Sequence, residues 1–143
     1  PVNHEAMSLG KLGVLRPGTD LTIACVGQAA LLGIEAAEIL AIEGIDAEVI
    51  SLRTLQPLDL DGLVACVSET QRLVIVEESP PRCSVSADIA ASISELLFGH
   101  LLAPIGRVNS AATPVPFSPP LEDAYLPSVA KIVNKCKVVL SAV

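Results

Sequence analysis

Two adjacent carboxylates, Glu77 and Glu78, are the side chains best placed for chemistry in this sequence. They close an apolar run that begins at Leu73 and predicts a buried strand. Ligands of open parallel sheets bind outside the carboxyl ends of strands, so this pair could contact a substrate. However, Arg53 ends another predicted strand, and an ion pair between Arg53 and one of these glutamates is the favoured interpretation.

The other residue types that carry catalysis occur in unfavourable places. His4 lies in a predicted tail, and His100 follows a helix-ending glycine, where a cation stabilises the helix C-terminus. Neither the dinucleotide-binding glycine pattern nor a Walker phosphate loop occurs in the sequence. The four cysteines lack the close pairs of a zinc site and are predicted to be buried reduced thiols: Cys25, Cys66, Cys83 and Cys136.

The composition predicts a single apolar and acidic domain. The 143 residues are 51% hydrophobic and 2% aromatic, so the core must be built from Ala, Val, Ile and Leu. This apolar share exceeds what a domain of this size can bury, which predicts an apolar interface. The net charge of −7 argues against a nucleic-acid partner and suits a basic protein partner. No apolar stretch reaches the ~20 residues of a membrane helix, so a soluble protein without a membrane partner is expected.

Glycine and proline separate a regular alternation of predicted strands and helices. Most of the strands are apolar throughout, which is typical of strands covered on both faces. In chain order the predicted elements are a strand at Lys11–Arg16, a strand at Leu21–Val26, a helix at Ala29–Glu43, a strand at Ala47–Ser51, a helix at Leu60–Thr70 capped by Asp59, a strand at Leu73–Glu77, a helix capped by Ser84 or Ser86, a short strand within 104–109, a proline-rich loop at 110–127 that excludes long regular structure, and a final helix with Pro127 in its first turn.

This order predicts an α/β fold. We expect a three-layer α/β/α sandwich with a mostly parallel sheet of about five strands. The first strand is joined to the second by the short turn Pro17-Gly18, so we expect it at the edge of the sheet, antiparallel to the second. Residues 1–9 have no periodicity and are predicted to be a linker or tail.

Four segments of the chain resemble one family. Arg53 to Asp59 is similar to the Leu-Arg-Thr-x-x-Pro-x-Asp pattern in the C-terminal domain of the beta subunit of thiamine-diphosphate-dependent 2-oxo acid dehydrogenases. Gly10 to Ile23 and Leu73 to Glu78 resemble strands of that domain, and Pro114 to Pro127 resembles its closing loop. The resemblance covers about residues 9–142 and makes residues 10–143 a transketolase C-terminal-like domain.

The resemblance implies an assembly role in the decarboxylating component of a pyruvate or branched-chain 2-oxo acid dehydrogenase. In that family thiamine diphosphate and magnesium lie between two other domains, so no catalytic, cofactor-binding or metal-binding residue is expected here. The implied partners are another beta subunit, the alpha subunit and the basic subunit-binding domain of the acyltransferase core. The implied compartment is the bacterial cytoplasm or, alternatively, the mitochondrial matrix.

The candidate residues are therefore structural or interface residues. The proline-rich loop is either a rigid cover anchored by Phe117 and Tyr125 or a docking surface, and Glu122 and Asp123 are its acidic part or a solvated turn. The whole set comprises Arg53, Thr54, Glu77, Glu78, Phe117, Glu122, Asp123 and Tyr125.

One segment departs from the family. Many relatives have a glycine-rich segment after the acidic pair, whereas this chain has Ser79 to Ser86, which includes Pro80 and Pro81. This difference leaves the substrate class open. Two alternatives stay open as well: a stand-alone small-molecule-binding α/β module that uses the strand ends near Gly27, Arg53 and Glu78, and the C-terminal domain of a transketolase or deoxyxylulose-phosphate synthase.

Overall fold

Strands and helices alternate through residues 8–142, the part of the chain that the computed structural model describes. In chain order they are β1 (Gly13–Arg16), β2 (Leu21–Val26), α1 (Ala29–Ile42), β3 (Ala47–Leu52), α2 (Leu60–Thr70), β4 (Leu73–Val76), α3 (Val85–Leu96), β5 (Gly106–Val108), α4 (Pro119–Tyr125) and α5 (Val129–Ser141). The strands form one sheet in the order β1-β3-β2-β4-β5, parallel except for β1 against β3. The predicted fold class is confirmed.

The sheet separates two apolar cores. Helices α1 and α5 cover one face, where Ile23, Val49 and Val74 are fully buried. Helices α2 and α3 cover the other face, where Ile50 and Ile75 are fully buried. Successive residues of a strand point to opposite faces, so a strand covered on both sides must be apolar throughout. No helix within residues 8–142 combines the length and apolar character needed to cross a lipid bilayer.

The edge strand β1 pairs with a different neighbour than predicted. It is antiparallel to β3, with Gly13 opposite Ser51, and not to β2. The expectation from the short turn is wrong because β2 already has parallel partners on both sides, β3 and β4. β1 instead pairs with the outer edge of β3, which is next to β2 in the sheet.

Asp59 links the residues just before β1 to the start of α2. It caps this helix as predicted, with its side chain accepting from the Gly62 N–H at 3.3 Å. The same carboxylate accepts from the Leu12 N–H at 3.0 Å and from Lys11 Nζ at 3.1 Å. The Leu12 hydrogen bond, followed by the Lys11 hydrogen bond, holds the pKa of Asp59 below its ordinary 3.8.

The proline-rich segment contains a short helix. Helix α4 begins after Ser118 and carries Pro119 and Pro120 in its first turn, where proline is tolerated. It is only seven residues long, in keeping with the predicted absence of long regular structure. Helix α5 begins at Val129 with Ser128 as its N-cap, so Pro127 precedes the helix and the prediction that it lies in the first turn is wrong.

Replacing Asp59 by Asn should destabilise the fold in a pH-dependent way. A carboxyl whose folded-state pKa is lowered adds stability above its unfolded pKa, and this stability is lost as the pH falls through the folded pKa. The urea midpoint of Asp59→Asn should therefore lie below that of the wild type at neutral pH, and the two should converge below pH 3.8. Glu69→Gln, on the exposed side of the same helix, is the control. A difference that persists unchanged into acid would contradict the assignment.

Candidate functional site

A crevice opens at the carboxyl ends of β2 and β4. These neighbouring strands are where the chain's direction of winding reverses, because α1 leads from β2 to β3 on one side while β4 and β5 lie on the other. Such switch points are the usual ligand sites of open α/β sheets. Gly27, at φ 61°, lets the chain leave β2 and begin α1 beside the opening. The crevice has a volume of about 540 Å³ and lies between the start of α1, the end of β4, the end of α4 and the start of α5.

The walls of the crevice are apolar and its charges are acidic. Leu31 and Leu32 of α1 face Leu126 and Val129, which lie before and at the start of α5. The charged residues that line it within the described part of the chain are Glu35, Glu78 and Asp123. Carboxylates next to the N-terminal ends of α1 and α5 are favourably placed with respect to the helix dipoles. As a whole, these three carboxylates attract cations to the crevice and repel anions.

Glu77 is buried in a polar network on the other face of the sheet. It is 1% exposed. Its carboxylate accepts from the Ser86 N–H at 2.8 Å and from Asn109 Nδ2 at 3.0 Å. The same Asn109 amide also lies 3.1 Å from Ser86 Oγ and 3.2 Å from the Ser79 carbonyl oxygen. The network therefore joins β4, the start of α3 and the end of β5.

The predicted ion pair between Arg53 and the acidic pair is wrong. Within residues 8–142, neither Glu77 nor Glu78 has a cationic side chain within 4.0 Å. The reason is topological: β2 lies between β3 and β4, so the strand ends are two spacings, roughly 10 Å, apart. Alternation along β4 sends Glu77 towards α3 and Glu78 into the crevice. Arg53 is exposed, and its guanidinium lies over Gly13, where a side chain would collide with it.

The other candidate residues are separated along the molecule. Thr54 Oγ1 donates to the Pro57 carbonyl at 2.9 Å and so closes the turn before α2. Tyr125 is buried, and its carbonyl accepts from the Ala111 N–H at 3.1 Å. Phe117 is fully exposed, which does not fit the interpretation of the loop as a rigid cover that Phe117 anchors. Glu122 is exposed in the first turn of α4.

Sequence reasoning missed Asn109 as a partner of the buried acid. The sequence pattern predicts Ser84 or Ser86 as the cap of α3, and Ser84 is the cap, accepting from the Ala87 N–H. Ser86 is fully buried in the network. A polar residue directly after β5, as Asn109 is, was the available signal, because it ends a strand beside the one that carries Glu77.

The four cysteines and His100 do not line the crevice. All four thiols are free, as predicted, but only Cys25 and Cys136 are buried, and Cys83 is exposed. Burial raises the pKa of Cys25 and Cys136 to about 12, so both thiols stay protonated. His100 is exposed at the end of α3, and His4 lies outside the described residues with most of the predicted tail.

Truncating Glu77 should destabilise the protein, because it leaves the buried Ser86 N–H and the Asn109 amide without their acceptor. Glu77→Ala should lower the free energy of unfolding by about 2–4 kcal/mol in urea denaturation. Glu77→Gln keeps one carbonyl oxygen and should lose less. The matched control is Glu78→Ala at the next residue, which is exposed and should change stability by less than about 0.5 kcal/mol. Equal effects at positions 77 and 78 would refute this account of the network.

Two curated proteins are similar to most of this chain. The acetoin:2,6-dichlorophenolindophenol oxidoreductase subunit beta of Cupriavidus necator is 46% identical over 132 residues, which cover 92% of this chain and 39% of the relative. The mitochondrial pyruvate dehydrogenase E1 component subunit beta of Ascaris suum is 41% identical over 146 residues, with coverage of 95% and 40%. This chain thus spans about two fifths of the length of these curated relatives.

A solved structure and a family description cover nearly the same region. The structure titled "Split gene transketolase, inactive beta4 tetramer" superposes with a TM-score of 0.79 at 25% identity, over 97% of this chain and 44% of that one. The family described as "Transketolase, C-terminal domain" matches residues 10–132. The chain therefore belongs to the transketolase C-terminal domain family.

Proposed function

We propose that the chain is the assembly domain of a beta subunit in a thiamine-diphosphate-dependent 2-oxo acid dehydrogenase or a closely related oxidoreductase. Its role is to contact another beta subunit and the alpha subunit, and to dock the basic subunit-binding domain of an acyltransferase core. The names of the relatives include both acetoin and pyruvate enzymes, so the substrate is a small keto compound of that kind. The relatives include bacterial and mitochondrial proteins, and the proposed compartment is the bacterial cytoplasm or the mitochondrial matrix.

The exposed apolar surface is the observation that carries this proposal. Both faces of the sheet are already covered by helices, yet large apolar side chains still face solvent. Ile42 at the end of α1 is 87% exposed, and Phe98 after α3 is 88% exposed. Contiguous exposed apolar surface marks protein interfaces, and we expect some of these side chains to form such a surface. Further members of the set are Leu31, Leu96, Leu102, Val115, Phe117, Leu121 and Val138.

The charge of the chain supports a basic partner. The net charge is −7, and the carboxylates of the crevice are free of ion pairs within residues 8–142. A field of one sign speeds encounter with a partner of the opposite sign and fixes its orientation.

Thiamine diphosphate does not fit the crevice. The group carries a diphosphate, which needs backbone N–H groups, cations or a bound metal around it. Here the charged groups are Glu35, Glu78 and Asp123, which would repel it. No group of three or more His, Cys, Asp or Glu within residues 8–142 is arranged to hold a metal ion. The proposed role therefore contains no chemical step at this crevice.

The crevice itself favours a second candidate function. Its volume and its place at the switch point suit a small ligand, as in a stand-alone binding module. Titration calorimetry of the chain with small organic cations, and with nucleotides and 2-oxo acids as the anions that the acidic lining should exclude, separates the two functions, because binding heat would favour the module and its absence the assembly role.

The 143-residue chain should show no turnover of a 2-oxo acid when thiamine diphosphate and magnesium are added. The acidic lining of the crevice repels the cofactor's diphosphate, and no group of three or more His, Cys, Asp or Glu in the described part of the chain is arranged to hold the magnesium ion. A steady-state assay with pyruvate and an artificial electron acceptor measures this, with an active pyruvate dehydrogenase as the positive control. Turnover that follows the concentration of the chain would overturn the assembly role.

The chain should self-associate as its concentration rises, because the free energy falls when its exposed apolar side chains are removed from water. Sedimentation equilibrium at several loading concentrations gives the dissociation constant. Monomer alone across the accessible range would count against assembly through this domain.

A further inference from the structure

The first strand is attached to the sheet by few apolar contacts. It is four residues long, lies at the edge of the sheet and has an irregular register against β3. Val14 and Leu15, its large apolar side chains, are 52% and 41% exposed, and neither belongs to the two buried cores. Segments with little buried apolar surface open at a lower cost in free energy than the body of a protein. Other contacts must therefore hold β1 in place.

The segment 53–59 supplies such contacts at the start of the strand. Each of the four consecutive residues 10–13 contacts a residue of this segment. Asp59 holds the two central ones, because its carboxylate accepts from Lys11 Nζ and from the Leu12 N–H. Hydrogen bonds that involve a charged group are stronger than neutral ones, and this carboxylate is itself buried.

Arg53 and Pro57 contact the two glycines on either side. The Arg53 guanidinium covers Gly13, which is buried although it lies in an edge strand. Gly10, at φ 71°, lies so close to Pro57 that a Cβ there would be 3.0 Å from the Pro57 Cγ. Thr54 Oγ1 donates to the Pro57 carbonyl and so keeps the turn closed. The residues of the Arg-Thr-x-x-Pro-x-Asp pattern thus act on one short stretch of backbone.

A second set of polar contacts holds the other end of β1. Arg16 Nη1 donates to Asp46 Oδ1 at 3.1 Å and also to the carbonyl oxygen of Ala47, the first residue of β3. Asp46 is fixed in turn, because its N–H donates to Asp20 Oδ2 at 2.7 Å. The strand is therefore tied down by charged side chains before its first residue and at its last.

We propose that residues 10–16 form a strap over the outer edge of β3, fastened at its two ends, which opens as one unit while the other four strands stay folded. The segment 53–59 is the latch at the first end, which gives this motif a role that the crevice does not. Opening of the strap uncovers the backbone donors and acceptors along the outer edge of β3. The strap therefore controls when this edge is accessible.

The positions of the lysines suit a test by native-state proteolysis with a lysine-specific endoprotease. Lys11 lies in the strap, and the other three lysines, Lys131, Lys135 and Lys137, lie in α5. Cleavage after Lys11 should hardly depend on urea below the unfolding transition, because opening of the strap exposes little surface. Cleavage after Lys135 should require global unfolding and accelerate steeply with urea. Equal urea dependence at the two sites would overturn the proposal, because the strap would then open only with the whole domain.

Substitutions at each fastening test the latch and the unity of the strap. Asn at position 59 can still cap α2 but has one acceptor oxygen instead of two, so Asp59→Asn should speed cleavage after Lys11 by roughly ten- to a hundred-fold. Arg53→Ala and, at the far end, Asp46→Asn should each speed it by about three- to ten-fold. The matched control is Arg82→Ala, since Arg82 is also exposed and forms no ion pair within residues 8–142. It should leave the rate unchanged.

The variants separate opening of the strap from simpler effects. Acceleration by Asp59→Asn alone would overturn the latch, because release of the Lys11 side chain would explain it, whereas Arg53→Ala leaves that side chain untouched. No effect of Asp46→Asn would contradict opening as one unit, because only the first end would then fray. The urea comparison needs the wild type alone, so it decides the matter even where circular dichroism shows that a variant is unfolded.

Discussion

Burial of β2 on both faces is the constraint on which the rest of the structure depends. Ile23 and Ala24 are consecutive and fully buried, one in each apolar core. A strand in this position can hold only two neighbours, and both places are taken by parallel strands. The antiparallel strand is thus forced to the edge, and β3 and β4 are kept apart. That separation keeps Arg53 away from the acidic pair, and the crevice opens at the ends of β2 and β4, where the winding reverses.

The two adjacent glutamates at the end of β4 have different environments, because successive side chains of a strand point to opposite faces of the sheet. Val74 and Val76 face α1 and α5, whereas Ile75 faces α2 and α3. The same alternation carried past the strand end makes Glu77 an internal acceptor and Glu78 an exposed charge. A buried carboxylate is tolerated only when donors satisfy it, and here the Ser86 N–H and the Asn109 amide do so.

The layers, most element boundaries and the capping role of Asp59 followed from local patterns, because apolar periodicity and side-chain caps act over a few residues. The predictions that failed depended on contacts between residues that are distant in the chain. The strand order determines both the partner of β1 and the separation of Arg53 from the acidic pair, and no local pattern encodes this order. The crevice combines Gln28 with Asp123 and Ser128, which lie about a hundred positions apart, so only its position at the strand ends was predictable. Asp123 was identified from a resemblance, and its place beside Glu78 required the three-dimensional structure.

The irregular pairing of β1 has a consequence for the behaviour of the chain at high concentration. The register passes from Val14 opposite Ile50 to Arg16 opposite Val49, so Leu15 is an extra residue without a partner. A bulge of this type bends the strand and interrupts its row of free backbone donors and acceptors. Foreign strands need a flat, continuous edge to add to a sheet. At its own edge of the sheet, β1 thereby opposes the addition of foreign strands, even though Val14 and Leu15 are themselves exposed and apolar.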